Sequence, residues 1–292
     1  MLLQQLTNGV MLGSTYALVA IGYSLVFGVL RLLHLAHGEV FMVGAFAGVM
    51  AVIWLGVGPF VALIGGLLGA AVLGVLLELT AFRPIRRRSG SFLAPIVSSI
   101  GAGVVLQEVM TKLFGAEQIP FPQQFAGTAY QLGPIAVSGA HLFILVVAFA
   151  SMAALHLFVT RSRTGMAMRA TAESIEVAAI LGINVDTVIL VTFAVASALA
   201  GIAGVLVGIN YNAISPFMGV DMTTKAMAVM LIGGLGSIYG AMAGGLLLGM
   251  VEVISVAYLA SSYRDAFAFC LMILVLLVRP RGLFSAGVDV GR

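Results

Sequence analysis

Charge is scarce in this sequence. Only 9% of its 292 residues are Asp, Glu, Lys or Arg, where an average soluble domain carries roughly 25%, and its mean hydropathy is +1.16. That shortage excludes a water-soluble single domain. Cysteine is scarcer still: Cys270 stands alone, so neither an internal disulfide nor a Cys-based metal site can be built. The two lysines, Lys112 and Lys225, do not follow glycines in the phosphate-binding spacing, so the chain cannot by itself hold ATP in a P-loop. No Gly-x-Ser-x-Gly turn or His-Glu-x-x-His helix occurs, and His37-Gly38-Glu39 lacks the second spaced histidine of a zinc site. No metal, cofactor or catalytic group is therefore expected. Basic residues interleaved with aromatics on one polar face are also missing, which argues against a nucleic-acid partner.

What is abundant is apolar sequence, 61% of the chain with 36 glycines, and it falls into uncharged stretches of about 20 residues, the length that crosses a bilayer as helix. The expected fold is an all-α, polytopic transmembrane bundle of about eight spans, a single transmembrane domain over residues 1–292 with the lipid bilayer as its surroundings. The 14 Lys and Arg supply the direction. Arg31; Arg83, Arg86, Arg87 and Arg88; Arg161, Arg163 and Arg169; and Arg279, Arg281 and Arg292 form four groups, and Lys112, Lys225 and Arg264 lie elsewhere. Placing the four groups inside puts 11 of the 14 basic residues in the cytoplasm, as the positive-inside rule requires. The start has no positive n-region, so the first span is read as uncleaved, with the N-terminus outside.

On that frame the spans are about Gly9–Leu30, Glu39–Val57, Phe60–Thr80, Phe92–Phe114, Ala140–Val159, Thr187–Ile209, Ile238–Tyr258 and Ala266–Val278. Gly115–Gly139, punctuated by Pro120, Pro122 and Pro134, reads as an outer loop with little helix, and Asn210–Asp221 as another. Between Arg161 and Asp186, Met168, Ala172, Ile175 and Ala179 recur at helical spacing and Gly182 stands at a C-cap position, which predicts one short amphipathic cytoplasmic helix over Gly165–Leu181. Thr224–Leu259 is too long for one span, roughly 54 Å as helix against a core of about 30 Å. The break is expected at Gly233-Gly234-Leu235-Gly236-Ser237. A re-entrant or broken element at 225–237 also keeps the C-terminal arginines inside.

Irregular backbone within a membrane is tolerated where it is buried in protein or lines a water-filled path, so Gly233, Gly234, Gly236 and Ser237 are candidate path residues. The competing reading is that these glycines, like Gly9/Gly13, Gly44/Gly48 and Gly245/Gly249, let helices touch. Among the acidic residues, Glu78 and Glu108 suit interfacial ion pairs. Glu39, beside His37 and Gly38 at the start of the second span, suits a helix-capping role or a place on the path. Glu252, deepest in apolar sequence, is the best candidate for a polar contact inside the bundle.

Three stretches together resemble a known family. Asn8–Leu18 with Gly22-Tyr23 and Leu35-Ala36-His37-Gly38-Glu39, then Arg163–Glu173 with Leu181-Gly182-Ile183-Asn184, then Leu231–Ser237 with Gly240, are similar to the inner-membrane permeases of bacterial ABC importers for branched-chain amino acids, the Liv type, which are related to ribose-type sugar permeases. The resemblance implies that the short cytoplasmic helix is a coupling helix docking on an ATPase, carried by Arg163, Gly165, Met168, Arg169, Ala172, Glu173 and Gly182. In place of the conventional Glu-Ala-Ala-x-x-x-Gly, Val177-Ala178-Ala179 precedes Gly182. It also implies two ATP-binding subunits as partners, with ATP hydrolysis on those subunits, a homologous second permease in a heterodimer or a homodimer, and a periplasmic substrate-binding protein. A secondary transporter or channel for a small polar solute would share the hydropathy, and related permeases serve urea, short amides or aromatic acids.

Overall fold

The computed structural model describes residues 2–56, 58–88, 93–122, 129–132, 135–259 and 263–284. Four expected features, the end of a span at Val57, the start of a span at Phe92, Pro134 and Arg292, lie outside them. The described residues form an all-α bundle: α1 (Leu2–Leu30), α2 (His37–Leu55), α3 (Pro59–Leu77), α4 (Arg83–Arg88), α5 (Leu93–Phe114), α6 (Gly139–Arg161), α7 (Arg163–Glu173), α8 (Ile175–Ile180), α9 (Val185–Tyr211), α10 (Met218–Gly233), α11 (Ile238–Tyr258) and α12 (Arg264–Val278). Seven helical segments among them are long and apolar enough to cross a membrane: α1, α2, the rod from α3 through α4, α5, α6, α9 and α11. At 16 and 15 residues, α10 and α12 are shorter.

Burial follows composition. The apolar residues of α1 continue round its whole circumference from Met11 to Leu30 and almost all are buried, so α1 is the axis of the bundle. By contrast, α5 exposes Val97, Val104, Val105 and Leu113, the outward apolar face of a helix against lipid. Close approach needs small residues. A Cβ on Gly249 of α11 would stand 2.3 Å from the Cα of Gly13 on α1, and one on Gly44 of α2 would stand 2.4 Å from the Cα of Gly201 on α9. The four-residue glycine spacing read from the sequence is used here for backbone contact.

The rod from Pro59 to Arg88 passes through one widened turn, Glu78–Phe82, where the Arg83 N–H donates to the Glu78 carbonyl five residues back. The cause is Pro84, which has no N–H to donate and whose ring would press on the carbonyl four residues before it; a widened turn relieves both. Helix therefore continues through the basic cluster, past the expected end of the span at Thr80.

One end of the bundle collects the basic residues. Arg86 bonds Asp186 at the start of α9, 2.9 Å, and a small cavity joins Arg31 to Thr171–Glu176. Gly236 packs against Gly28 near the end of α1, and Gly282, just past α12, against Gly234. Expected loops at the other end form two small strand pairs, β1 (Ile119–Pro120) with β4 (Ala213–Ile214) and β2 (Ala129–Leu132) with β3 (Ile135–Ser138), both antiparallel.

Two expectations are corrected. The amphipathic helix is two helices, because Ser174 is extended and its hydroxyl accepts from the Val177 N–H, capping α8 afresh. Met168 is buried, yet Ile175 and Ala179 are exposed, so the predicted common face does not exist. The Asn210–Asp221 loop is also shorter than read. The chain turns at Asn212 (φ 58°) and α10 already starts at Met218. α10 runs toward the basic end, and the glycine break falls there. Gly234 and Gly236 take φ of 107° and 77°, and Ser237 caps α11 by accepting from the Gly240 N–H.

Candidate functional site

The residues singled out from the sequence fall in four separate places. Gly233, Gly234, Gly236 and Ser237 form the tight turn between α10 and α11, and what they meet is backbone: Gly240, Gly28 and Gly282. At this turn they bring the helices into close contact.

The second place lies inside the bundle. After α1 the chain folds back, so that the His37 ring lies where a Cβ on Gly22 would be, 2.4 Å from it. Gly22 is eight residues before Leu30, roughly 12 Å back along α1. Hence α2 begins within the bundle and not at its end. His37 is fully buried, with its ring edge-on to Tyr23 at 4.7 Å and to His34 at 5.5 Å. His34 sits among Phe82 and Phe193 with both ring nitrogens unpartnered. Gly38 leaves room for the Thr223 hydroxyl and the Gly219 carbonyl, and Glu39 lies against Gly219 with one carboxylate oxygen unpartnered. Any side chain at residue 38 or 219 would separate α2 from α10.

The third place, toward the other end, is an ion cluster around Glu252, 1% exposed. Its Oε1 accepts from Lys225 Nζ at 2.9 Å, from the Tyr16 hydroxyl at 3.1 Å and from Arg264 Nε. Lys225 reaches Asp265 at 3.4 Å, and Arg264 donates to the Tyr211 hydroxyl at 3.0 Å. One carboxylate thus ties α10, α11 and α12 to α1, as a buried charge in apolar surroundings must be tied. The expectation that Glu252 makes a polar contact holds. Sequence reading missed its partners, although Lys225 and Arg264 were two of the three basic residues left outside the four groups. A cavity of about 530 Å³ opens beside the cluster, lined in part by Tyr16, Tyr211, Lys225 and Arg264.

The fourth place is α7 and α8 at the basic end. Ser162 caps α7 by accepting from the Gly165 N–H at 2.8 Å, and Gly165 presses on the carbonyls of Phe158 and Val159. Met168 is 2% exposed, Ala172 is half-buried, and Arg163, Arg169 and Glu173 face outward. Gly182 (φ 83°) turns the chain toward α9. α8 shows an apolar surface instead of burying one: Ile175, Val177, Ile180 and Leu181 are all exposed, Ile180 to 85%. Elsewhere at this end Glu78, fully buried, pairs with Arg86 at 3.0 Å, the ion pair expected of it.

Residues 5–276 match the family described as branched-chain amino acid transport system, permease component. The chain is 40% identical to the high-affinity branched-chain amino acid transport system permease protein LivH of Escherichia coli, over 97% of this chain and 95% of that one. It is 39% identical to the corresponding protein BraD of Pseudomonas aeruginosa, with the same coverage of both. It is also 27% identical to the permease protein LivM of E. coli, over 92% of this chain and 67% of that protein.

Proposed function

The chain belongs to the family of permease components of branched-chain amino acid transport systems, and on that premise we propose that it is one of two permease subunits of an ABC importer that moves leucine, isoleucine and valine inward across a bacterial inner membrane. The observation that carries the proposal is the full-length 40% identity to a permease named for that cargo. Its likeness to LivM as well supports a homologous second permease as partner. The basic end, with α7 and α8, is the cytoplasmic one by the positive-inside rule; the N-terminus is then outside and the C-terminus inside. A periplasmic binding protein delivers cargo to the opposite end, and two ATP-binding subunits dock on the basic end.

The docking surface we assign is α8. Four exposed apolar side chains beside Glu173 and Glu176 suit a hydrophobic groove with a basic rim better than they suit water. Of the residues implied by the family resemblance, Gly165, Met168 and Ala172 serve the inner side: they fix α7 on the last turn of α6 and on α1, so that motion of the ATPases is passed to the bundle. Arg163, Arg169 and Glu173 border the surface, and Gly182 sets its angle. The Ile180→Asp, Leu181→Asp double variant is expected to insert normally, to lose at least 10-fold in co-purified ATPase and to abolish uptake. Wild-type levels of both would refute the docking assignment. Leucine uptake by the permease pair in liposomes without any ATPase would instead favour a secondary transporter or channel.

A further inference from the structure

The 530 Å³ cavity beside Glu252 is of the size that holds a small ligand, and its lining is divided. Lys225 and Arg264 stand on one wall. Asp221 is four residues before Lys225 on α10, hence on the same helix face one turn away; it lines the same cavity and makes no ion pair among the described residues. Another part of the lining is apolar and open to the cavity: Phe217 is 45% exposed and Met218 half-buried. A cation pair, a carboxylate one helical turn away and an accessible apolar wall are the three features that recognise an α-amino acid with a hydrocarbon side chain.

The charge balance favours such an occupant. Lys225 and Arg264 have side chains 17% and 31% exposed and share one buried anion, Glu252, whereas Asp265 is 69% exposed and screened by water. The buried part of the cluster therefore carries one surplus positive charge beside the cavity, which a ligand carboxylate would neutralise. The hydroxyls of Tyr16 and Tyr211, already oriented by Arg264, stand beside that position. Glu252 holds the two cations in place from the far side, so they need not reorganise when the ligand arrives.

We propose that this cavity is a cargo-binding site within the permease, in which Lys225 and Arg264 take the carboxylate of a zwitterionic amino acid, Asp221 takes its ammonium group, and Phe217 and Met218 receive its branched side chain. The proposal rests on the importer reading for the identity of the cargo and adds to it a site that this chain itself provides. Cargo released by a binding protein would then be captured and oriented before the bundle rearranges.

The test uses the complete purified transporter in lipid nanodiscs without its binding protein. Radiolabelled L-leucine binding is measured, with competition by 3-methylbutylamine, which lacks the carboxylate, and by 4-methylpentanoate, which lacks the ammonium group. Saturable leucine binding is expected, with each analogue at least 10-fold weaker. Asp221→Asn should weaken leucine at least 10-fold, leave 4-methylpentanoate unchanged and leave the Tm unchanged, because Asp221 is exposed and outside the ion cluster. Asp221→Glu should restore much of the loss. Leucine binding and analogue preference equal to wild type in Asp221→Asn would overturn the site, as would equal binding of leucine and both analogues. In proteoliposomes with the binding protein, wild-type uptake of leucine combined with an unchanged KM in Asp221→Asn would overturn the site alone. Absence of wild-type uptake of leucine, isoleucine and valine would overturn the importer reading as well.

Discussion

Gly233→Leu is expected to abolish uptake while leaving membrane insertion intact, and to lower the Tm of the purified protein. A Cβ at residue 233 would stand 2.2 Å from the carbonyl carbon and oxygen of Gly240, and one at residue 240 would stand 2.2 Å from the Gly233 oxygen. The obstacle on both sides is backbone, so no rotamer change relieves it. Overpacking of this kind costs about 1–3 kcal/mol where side chains can yield, and more where helices must part. The displacement would not stay local. The Gly233 and Ile232 carbonyls accept from the N–H groups of Phe284 and Leu283, both at 2.9 Å, and α10 also carries Lys225, so parting α10 from α11 disturbs the tail after α12 and the Glu252 cluster together. Gly236→Leu should be milder. It incurs about 1–2 kcal/mol for a side chain at positive φ, with its Cβ at 3.2 Å from the Gly28 Cα. Gly101→Leu is the control: nothing lies within 4 Å of a Cβ there, and helix propensity favours leucine by several tenths of a kcal/mol. Insertion is unaffected in all three because leucine only raises the hydropathy. If Gly233→Leu took up substrate as well as Gly101→Leu does, the tight α10–α11 contact would not be required.

The spans were legible because a bilayer imposes a length and a composition on every helix that crosses it, and the glycine break was legible because clustered glycines end helices. The two misread places have local causes. Periodicity carries Met168, Ala172, Ile175 and Ala179 onto one face, but a single serine hydroxyl at residue 174 restarts the helix and turns the last two away. Hydropathy likewise cannot tell that residues 31–36 fold back into the bundle, because burial of His34 and His37 depends on the rings of Tyr23, Phe82 and Phe193, which come from three different helical segments. The ion cluster was half legible. Glu252 stood out as a carboxylate alone in apolar sequence, and such a residue demands a partner. Its partners lie 236, 27 and 12 residues away on other elements, a set of contacts that only the packing of α1, α10 and α12 around α11 creates. The unassigned basic residues were the available signal: a cation that fits no cytoplasmic group needs its own anion.

Glu252→Leu is the second variant with a large expected effect, and its sign depends on what is left behind. Removing the carboxylate strands Lys225 and Arg264 close to each other, with exposed Asp265 and two tyrosine hydroxyls as their remaining bonded partners among the described residues. Deleting one partner of a fully buried pair costs about 3–5 kcal/mol. Water reaching Lys225 and Arg264, at 17% and 31% side-chain exposure, places this case toward the lower end of that range. The loss should persist at high salt, since screening acts weakly on a carboxylate that is 1% exposed. Glu252→Gln, which keeps the shape and one acceptor, should lose less. Lys225→Met with Glu252→Leu should be more stable than Glu252→Leu alone, because the second change removes a stranded charge; a coupling of about 0.5–3 kcal/mol is the range for residues in direct contact. Thermal unfolding in detergent of Glu252→Leu, Glu252→Gln, Lys225→Met alone and the Lys225→Met, Glu252→Leu double variant measures all of these terms. Additivity of the two single changes would mean that Lys225 and Glu252 do not interact, and an unchanged Tm in Glu252→Leu would mean that the cluster does not hold α10 and α12 to the bundle. The expected instability also separates two roles: Glu252 variants should lose uptake together with folded protein, whereas Asp221→Asn should lose cargo affinity with the fold intact.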